Sequence, residues 1–311
     1  MLDNTPTFWI FFNIGLLLLI LIDVKFFHAQ EKTVSIKEAL IATSFWIGLA
    51  LAFNTAIYFY RGLEDALNFL TGYLVEYSLS IDNLFVFLLI FSYFKVPSHL
   101  NHKVLFWGIA GAIVMRAIFI LSGIALIKKF SWIIYLFGLF LVLTGLKLGF
   151  SQDSTNSPKD NFMIKLFKRF FPVTETYVAD KFFIRRNHRL FATPLFLVLL
   201  AIETTDVIFA IDSIPAIIGI TTDIVIVYSS NIFAVLGLRS LYFALAGMMH
   251  LFHYLHYGLA IILVFIGLKM LLSGFIHLPI TWTLGFICLV LLSSILISLV
   301  VKQKPTKPSL K

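Results

Sequence analysis

Long apolar runs separated by short polar breaks dominate this chain. A membrane-spanning helix needs about 20 apolar residues. Nine stretches qualify, at roughly 7–27, 39–60, 67–94, 104–127, 130–150, 191–220, 224–249, 255–275 and 279–301. The one long polar stretch is 151–190. It opens with Ser151-Gln152-Asp153-Ser154-Thr155-Asn156-Ser157-Pro158, which reads as a loop. Phe162 to Phe171 follows as a short basic amphipathic segment, expected to lie on the membrane surface. The pattern predicts an all-α polytopic protein, a single membrane domain over 1–311 with about nine transmembrane helices.

Composition strengthens that reading. Of the 311 residues, 60% are hydrophobic and only 13% are charged, and the mean hydropathy is +0.96. A soluble domain carries about a quarter charged residues. The single cysteine, Cys288, excludes an intramolecular disulfide framework and a multi-cysteine zinc site. The first residues, Met1 to Pro6, carry no basic segment and no small-residue cleavage site, so no cleaved signal peptide is expected.

The net charge of +8 is unevenly spread. With the N-terminus outside, the inner segments hold Lys25, Lys32, Lys37, Lys95, Lys103, the basic residues of 159–189 and the four lysines of the C-terminal tail. The outer segments hold only Arg61, Lys128 and Lys129. That bias predicts the N-terminus outside and the C-terminus in the cytoplasm. The basic charge is then a solvated inner face beside anionic lipid, and no nucleic-acid role is expected.

Two stretches inside the apolar runs resemble one another. The first is Glu76-Tyr77-Ser78-Leu79-Ser80-Ile81-Asp82-Asn83, and the second is Asp206-Val207-Ile208-Phe209-Ala210-Ile211-Asp212-Ser213, with Glu203 just ahead. Each sets two carboxylates six apart, with Asn or Ser directly after. A mid-helix arginine (Arg116, then Arg239) and a Gly-Leu-Lys (ending at Lys147, then Lys269) follow in both halves. Helices 3–5 therefore match helices 6–8. The predicted topology runs the two units, 67–150 and 191–275, in opposite directions. Inverted repeats of this kind mark secondary transporters, with the site near the membrane midplane.

Intramembrane acids are costly and mark function or pairing. Glu76, Ser80 and Asn83 share a helical face, as do Glu203, Asp206 and Ser213. Asp82 and Asp212 lie about 120° away on straight helices. A break near Pro215 would let the second motif converge, whereas helix 3 has only Gly72 to help. All these donors are oxygens, which suit hard divalent cations such as Mg²⁺, Ca²⁺ or Mn²⁺ rather than Zn²⁺ or Cu⁺. The bland alternative is charge pairing of Glu76, Asp82, Glu203, Asp206 and Asp212 with Arg116, Arg239, Lys147 and Lys269. We expect a mixture, in which the arginines brace some acids and the rest bind cargo. Asn13 and Asn54 read as helix–helix contacts, and Asn231 as a feature of the second half alone. His250, His253 and His256 read as a solvated interfacial cluster.

Residues 76–87 and 204–216, with Gly-Leu-Arg-Ser-Leu-Tyr-Phe at 237–243, resemble the paired signatures of the TerC/Alx integral membrane proteins. The resemblance implies membership of the LysE-type transporter group, a bacterial cytoplasmic (inner) membrane location, manganese export and an association with tellurium resistance. It places the family's motif positions on Glu76, Asp82, Asn83, Asp206, Asp212 and Ser213. The expectation is a non-enzymatic exporter of a divalent metal ion, Mn²⁺ first, working by alternating access with proton exchange. No permanent cofactor is expected, and the sequence names no protein partner. Two alternatives remain: an accessory protein for assembly of membrane or exported proteins or for tellurium stress, and a Ca²⁺/H⁺ exchanger.

Overall fold

A computed structural model describes residues 6–28, 35–150, 164, 166–167, 169, 171–186, 189–246, 255–275 and 278–300. The side chains of Asp82 and Asp212 lie outside the described set, as do His250, His253 and most of the 162–171 segment. The helices are α1 (Pro6–His28), α2 (Ile36–Arg61), α3 (Leu63–Tyr93), α4 (Ser98–Lys129), α5 (Ile133–Phe150), α6 (Pro194–Ile218), α7 (Ile224–Leu236), α8 (Leu238–Ala246), α9 (Leu255–Leu271) and α10 (Ile280–Val300). The boundaries follow local chemistry. Ser35 and Glu38 form a reciprocal capping box at the start of α2. Gly62, at φ +94°, lets the chain turn from α2 into α3. Pro194 opens α6 at a position where no backbone donor is needed.

Among the described residues, six helices are long and apolar enough to cross a membrane, and α7 with α8 makes a seventh if that bent pair is one span. The protein is a mostly helical, multi-pass membrane protein. The outer faces of α2, α4, α5 and α10 expose Phe59, Ile118, Leu143 and Leu289. By contrast, α7 is buried along its whole length.

Three points differ from the sequence expectation. Residues 183–192 form a short antiparallel hairpin, β1 (Phe183–Arg186) with β2 (Arg189–Ala192), so the fold is not purely α. Helix α6 runs unbroken through Pro215, which lies near its C-terminal end where one lost backbone bond costs little. The bend occurs instead at Gly237, where α7 meets α8 at 41°.

Close approaches fix how the helices run. A Cβ at Gly72 of α3 would lie 2.9 Å from Ser230 Oγ of α7, and one at Gly237 would lie 3.9 Å from Tyr77. Residue numbers rise together, so α3 and α7 are parallel. Gly108 faces Ile202 and Gly123 faces Ile218, so α4 and α6 are parallel too. Gly138 meets Gly267 while Gly145 meets Ala260, so α5 and α9 are antiparallel. Around this core, α2 packs on α3 and α8, and α10 on α9 and α3. Asn13 of α1 accepts from Tyr228 Oη of α7 at 3.1 Å, a helix–helix contact as its position suggested.

The α5–α9 seam depends on missing side chains. A Cβ at Gly267 would sit 2.6 Å from Gly138 O and 2.9 Å from Val142 N, both backbone atoms that cannot swing aside. Gly267→Leu is expected to cost about 1–3 kcal/mol through overpacking. Gly48→Leu, whose Cβ meets open space, should cost nothing measurable. Unfolding midpoints in detergent check both.

Candidate functional site

The first acids of the two motifs meet on one arginine. Arg116 of α4 is fully buried, and its Nη1 donates to Glu76 Oε1 of α3. Its other edge grips Asp206 of α6, Nη2 to Oδ1 at 3.1 Å and Nε to Oδ2 at 3.4 Å. Such a two-pronged contact is what a planar guanidinium does best. Glu76 and Asp206 are buried as well. The planned pairing of Arg116 with motif acids is thus present.

The polar positions beside this pair line facing stripes. On α3 the stripe is Gly72, Glu76, Ser80 and Asn83, all buried. On α6 it is Asp206, Ala210, Ser213 and Ile217, also buried. The connection from α3 to α4 is short and α4 runs with α6, so α3 and α6 are antiparallel. Gly72 faces Ile217. From that anchor, helices rising about 1.5 Å per residue bring Ser213 level with Glu76, and Asn83 level with Asp206. Buried Asn231 of α7 lies next to Ser230, the residue against Gly72.

Several polar atoms here are buried without a hydrogen-bond partner among the described residues. They are Glu76 Oε2, Ser80 Oγ, Asn83 Nδ2, Ser213 Oγ and both side-chain polar atoms of Asn231. Leaving one such atom unpaired costs about 1–3 kcal/mol. Buried polar atoms without partners are uncommon in native folds and each calls for a reason. Four of these six are oxygens. Among the described side chains, one guanidinium here pairs with two carboxylates.

The remaining sequence candidates are placed as follows. Glu203 is half-buried, with its carboxylate where a side chain at Gly111 would be. Arg239 is buried on α8, a helix that packs against α2, α3 and α4. Lys147 is exposed on α5 and Lys269 half-buried on α9. Among the described side chains neither lysine joins an ion pair with a motif acid. Of the three histidines only His256 is described, its ring tilted at 39° against that of Tyr257. No group of three or more His, Cys, Asp or Glu side chains gathers as a metal site among the described residues.

One cluster was not anticipated. Arg61, at the end of α2, bonds Asp65 of α3 at 2.8 Å and Asp223, the N-cap of α7, at 2.6 Å. The i,i+4 spacing of Arg61 and Asp65 was readable, but Asp223 lies 162 positions away. Burial pushes the Asp223 carboxyl up, yet bonds from Arg61 and the Ile226 and Val225 amides outweigh it and hold it below its ordinary range. The Arg61–Asp223 arm of the clamp therefore stays ionised at neutral pH and loosens as pH falls below the usual carboxylate range. It ties α3 to α7 at the Gly72 end of the polar stripes.

A family model described as "Integral membrane protein TerC family" matches residues 61–306. The chain belongs to the TerC family. An Alx protein of Escherichia coli (strain K12), provisionally named a membrane-bound redox modulator, is 43% identical over 98% of both chains. An uncharacterised membrane protein of Myxococcus xanthus is 43% identical over 96% of this chain and 93% of its own. A membrane protein of Rickettsia bellii is 40% identical over 95% and 98%. No solved structure matches this TerC-family chain.

Removing Arg116 from this TerC-family core strands two buried carboxylates. Arg116→Met is expected to destabilise by about 3–5 kcal/mol. Adding Glu76→Gln and Asp206→Asn should recover most of that loss. Detergent unfolding of the single and triple variants checks the pair.

Proposed function

We propose that this protein exports a divalent metal cation, Mn²⁺ first, by alternating access between two inverted three-helix units, 67–150 and 191–275. The observation that carries the reading is the junction at Arg116. There one cation holds the matching acids of both motifs, Glu76 and Asp206, beside facing stripes of unpartnered polar atoms. Two carboxylates against one guanidinium leave a negative charge that a bound cation or proton balances. Oxygen donors suit Mn²⁺, Mg²⁺ or Ca²⁺. The choice of Mn²⁺ among them follows the family resemblance. Asp82 and Asp212 complete the proposed ligand set, with Asn83, Ser213 and Glu203 beside them.

Helix directions support the inverted repeat. Exchanging the two units turns the α3–α7 pair into the α6–α4 pair, and both are parallel. Matching Gly145 with Gly267 makes Ala260 the counterpart of Gly138. The exchange then turns the Gly138–Gly267 contact into the Ala260–Gly145 contact, and both occur. The reading extends to nine crossings, with α1 and α9 also spanning, the N-terminus outside and the C-terminus in the cytoplasm of a bacterial inner membrane. It also carries a place in the LysE-type transporter group. In that orientation the Arg61 clamp lies on the outer side, where it would hold the exit closed until the units rock.

Proton exchange through the same carboxylates is the proposed coupling. A redox effect of the kind named for Alx would act here through the ion moved, since the sequence holds one cysteine and no intramolecular disulfide can form. In a manganese-sensitive host, Asp82→Asn, Asp212→Asn and Asn231→Leu should each lower Mn²⁺ export roughly tenfold or more at equal expression, the loss of a charge-assisted contact. Parental export by both aspartate variants would contradict the proposed site.

A further inference from the structure

The polar segment between α5 and α6 is fastened to the bundle end where α3 stops and α4 begins. Tyr177 Oη donates to Phe94 O at 2.8 Å, and Lys103 Nζ to the Asp180 carboxylate at 2.8 Å. Thr193 Oγ1 donates to Lys181 O at 2.7 Å, and Thr174 N to Ala192 O at 2.9 Å. Strand β2 ends at Ala192, two residues before α6 starts. Helix α6 is long and apolar enough to cross the membrane. A hairpin held at the mouth of that helix lies at headgroup depth.

Its register gives the hairpin two unlike faces. Phe183 pairs with Ala192, and Arg185 with Leu190, on one face. On that face Phe183 is 39% exposed and Leu190 52% exposed. The apolar surface continues onto the preceding segment, where Phe171 is 44% exposed. Phe196 links the two, its ring 4.5 Å from Phe183 and 5.0 Å from Phe167, which stacks on Phe171. Arg185 is exposed beside Leu190 on this face, Arg169 is exposed on the preceding segment, and Arg189, paired with Arg186, is exposed on the opposite face.

Aromatic and aliphatic side chains exposed among arginines, at the entry of a spanning helix, are the composition of an interfacial membrane contact. Here Arg185 stands directly opposite Leu190. We propose that this face docks into the headgroup layer of the same bilayer and that Arg185 takes the phosphate of an anionic phospholipid. The inference stands apart from the identity of the transported ion.

The test places an indole on the face. Full-length Leu190→Trp protein is reconstituted with phosphatidylcholine and phosphatidylglycerol, brominated on one lipid or the other at equal mole fraction. The parent protein's own tryptophans set the baseline. Brominated phosphatidylglycerol should quench the new indole several-fold more than brominated phosphatidylcholine. Adding Arg185→Gln should lower that preference roughly fivefold, while Arg185→Lys should keep most of it. An unchanged baseline shows that the variants remain folded. Equal quenching by the two lipids, or a preference that survives Arg185→Gln, overturns the proposal. Quenching by neither lipid also overturns it, and would leave the face to water or to a protein partner.

Discussion

The structure turns on Arg116 and the two carboxylates it holds away from water. Moving a charged group into a low-dielectric interior costs several kcal/mol per ion, even after relaxation. A guanidinium between Glu76 and Asp206 offsets much of that cost, but only if α3, α4 and α6 are placed so that all three side chains reach one point. The ion pair therefore dictates helix placement as much as it depends on it. It also leaves a residue of chemistry. Two acids share one base, and Glu76 Oε2 has no partner among the described residues. A buried site with unbalanced negative charge and unsatisfied oxygens is suited to a positive visitor. A purely structural network would close both accounts.

Small residues let the rest of the bundle serve that junction. Gly72 admits Ser230, Gly111 admits the Glu203 carboxylate, and Gly138 with Gly267 brings two helix backbones together. Close packing through glycines is how helices associate in lipid, where no hydrophobic effect drives them together. At one end Arg61 pins α3 to α7 through Asp65 and Asp223. At the other, the 171–193 segment is bonded to Phe94 and Lys103. The polar stripes lie between these fastenings, and rocking of the proposed units would have to release one or the other.

Much of this was legible in the residues. Apolar runs located the helices, because each spanning segment must bury its own backbone polar groups. Charged residues inside those runs marked the candidate site, and the pairing of Arg116 with motif acids followed from charge alone. Long-range geometry was not legible. Nothing local to Arg61 points to Asp223, and nothing in Lys147 says that it faces outward. Pro215 suggested a bend that its place near the end of α6 makes unnecessary, while Gly237 allowed one that no polar signal announced. The hairpin at 183–192 was hidden because four-residue strands are too short to show alternation. Asn231 was noted only as a feature of the second half. Its full burial beside the polar stripes gives it a larger part.

The central claim is that the charge left over at Arg116 binds a moving divalent cation. The most direct measurement is Mn²⁺ flux into proteoliposomes holding the purified full-length protein, with Mg²⁺ and Ca²⁺ as competitors and internal pH followed at the same time. The account predicts protein-dependent, saturable Mn²⁺ flux with opposing proton movement, lost when Glu76 and Asp206 are both neutralised in the Arg116→Met background that keeps the core folded. Folded protein that moves no divalent cation above empty liposomes would contradict it.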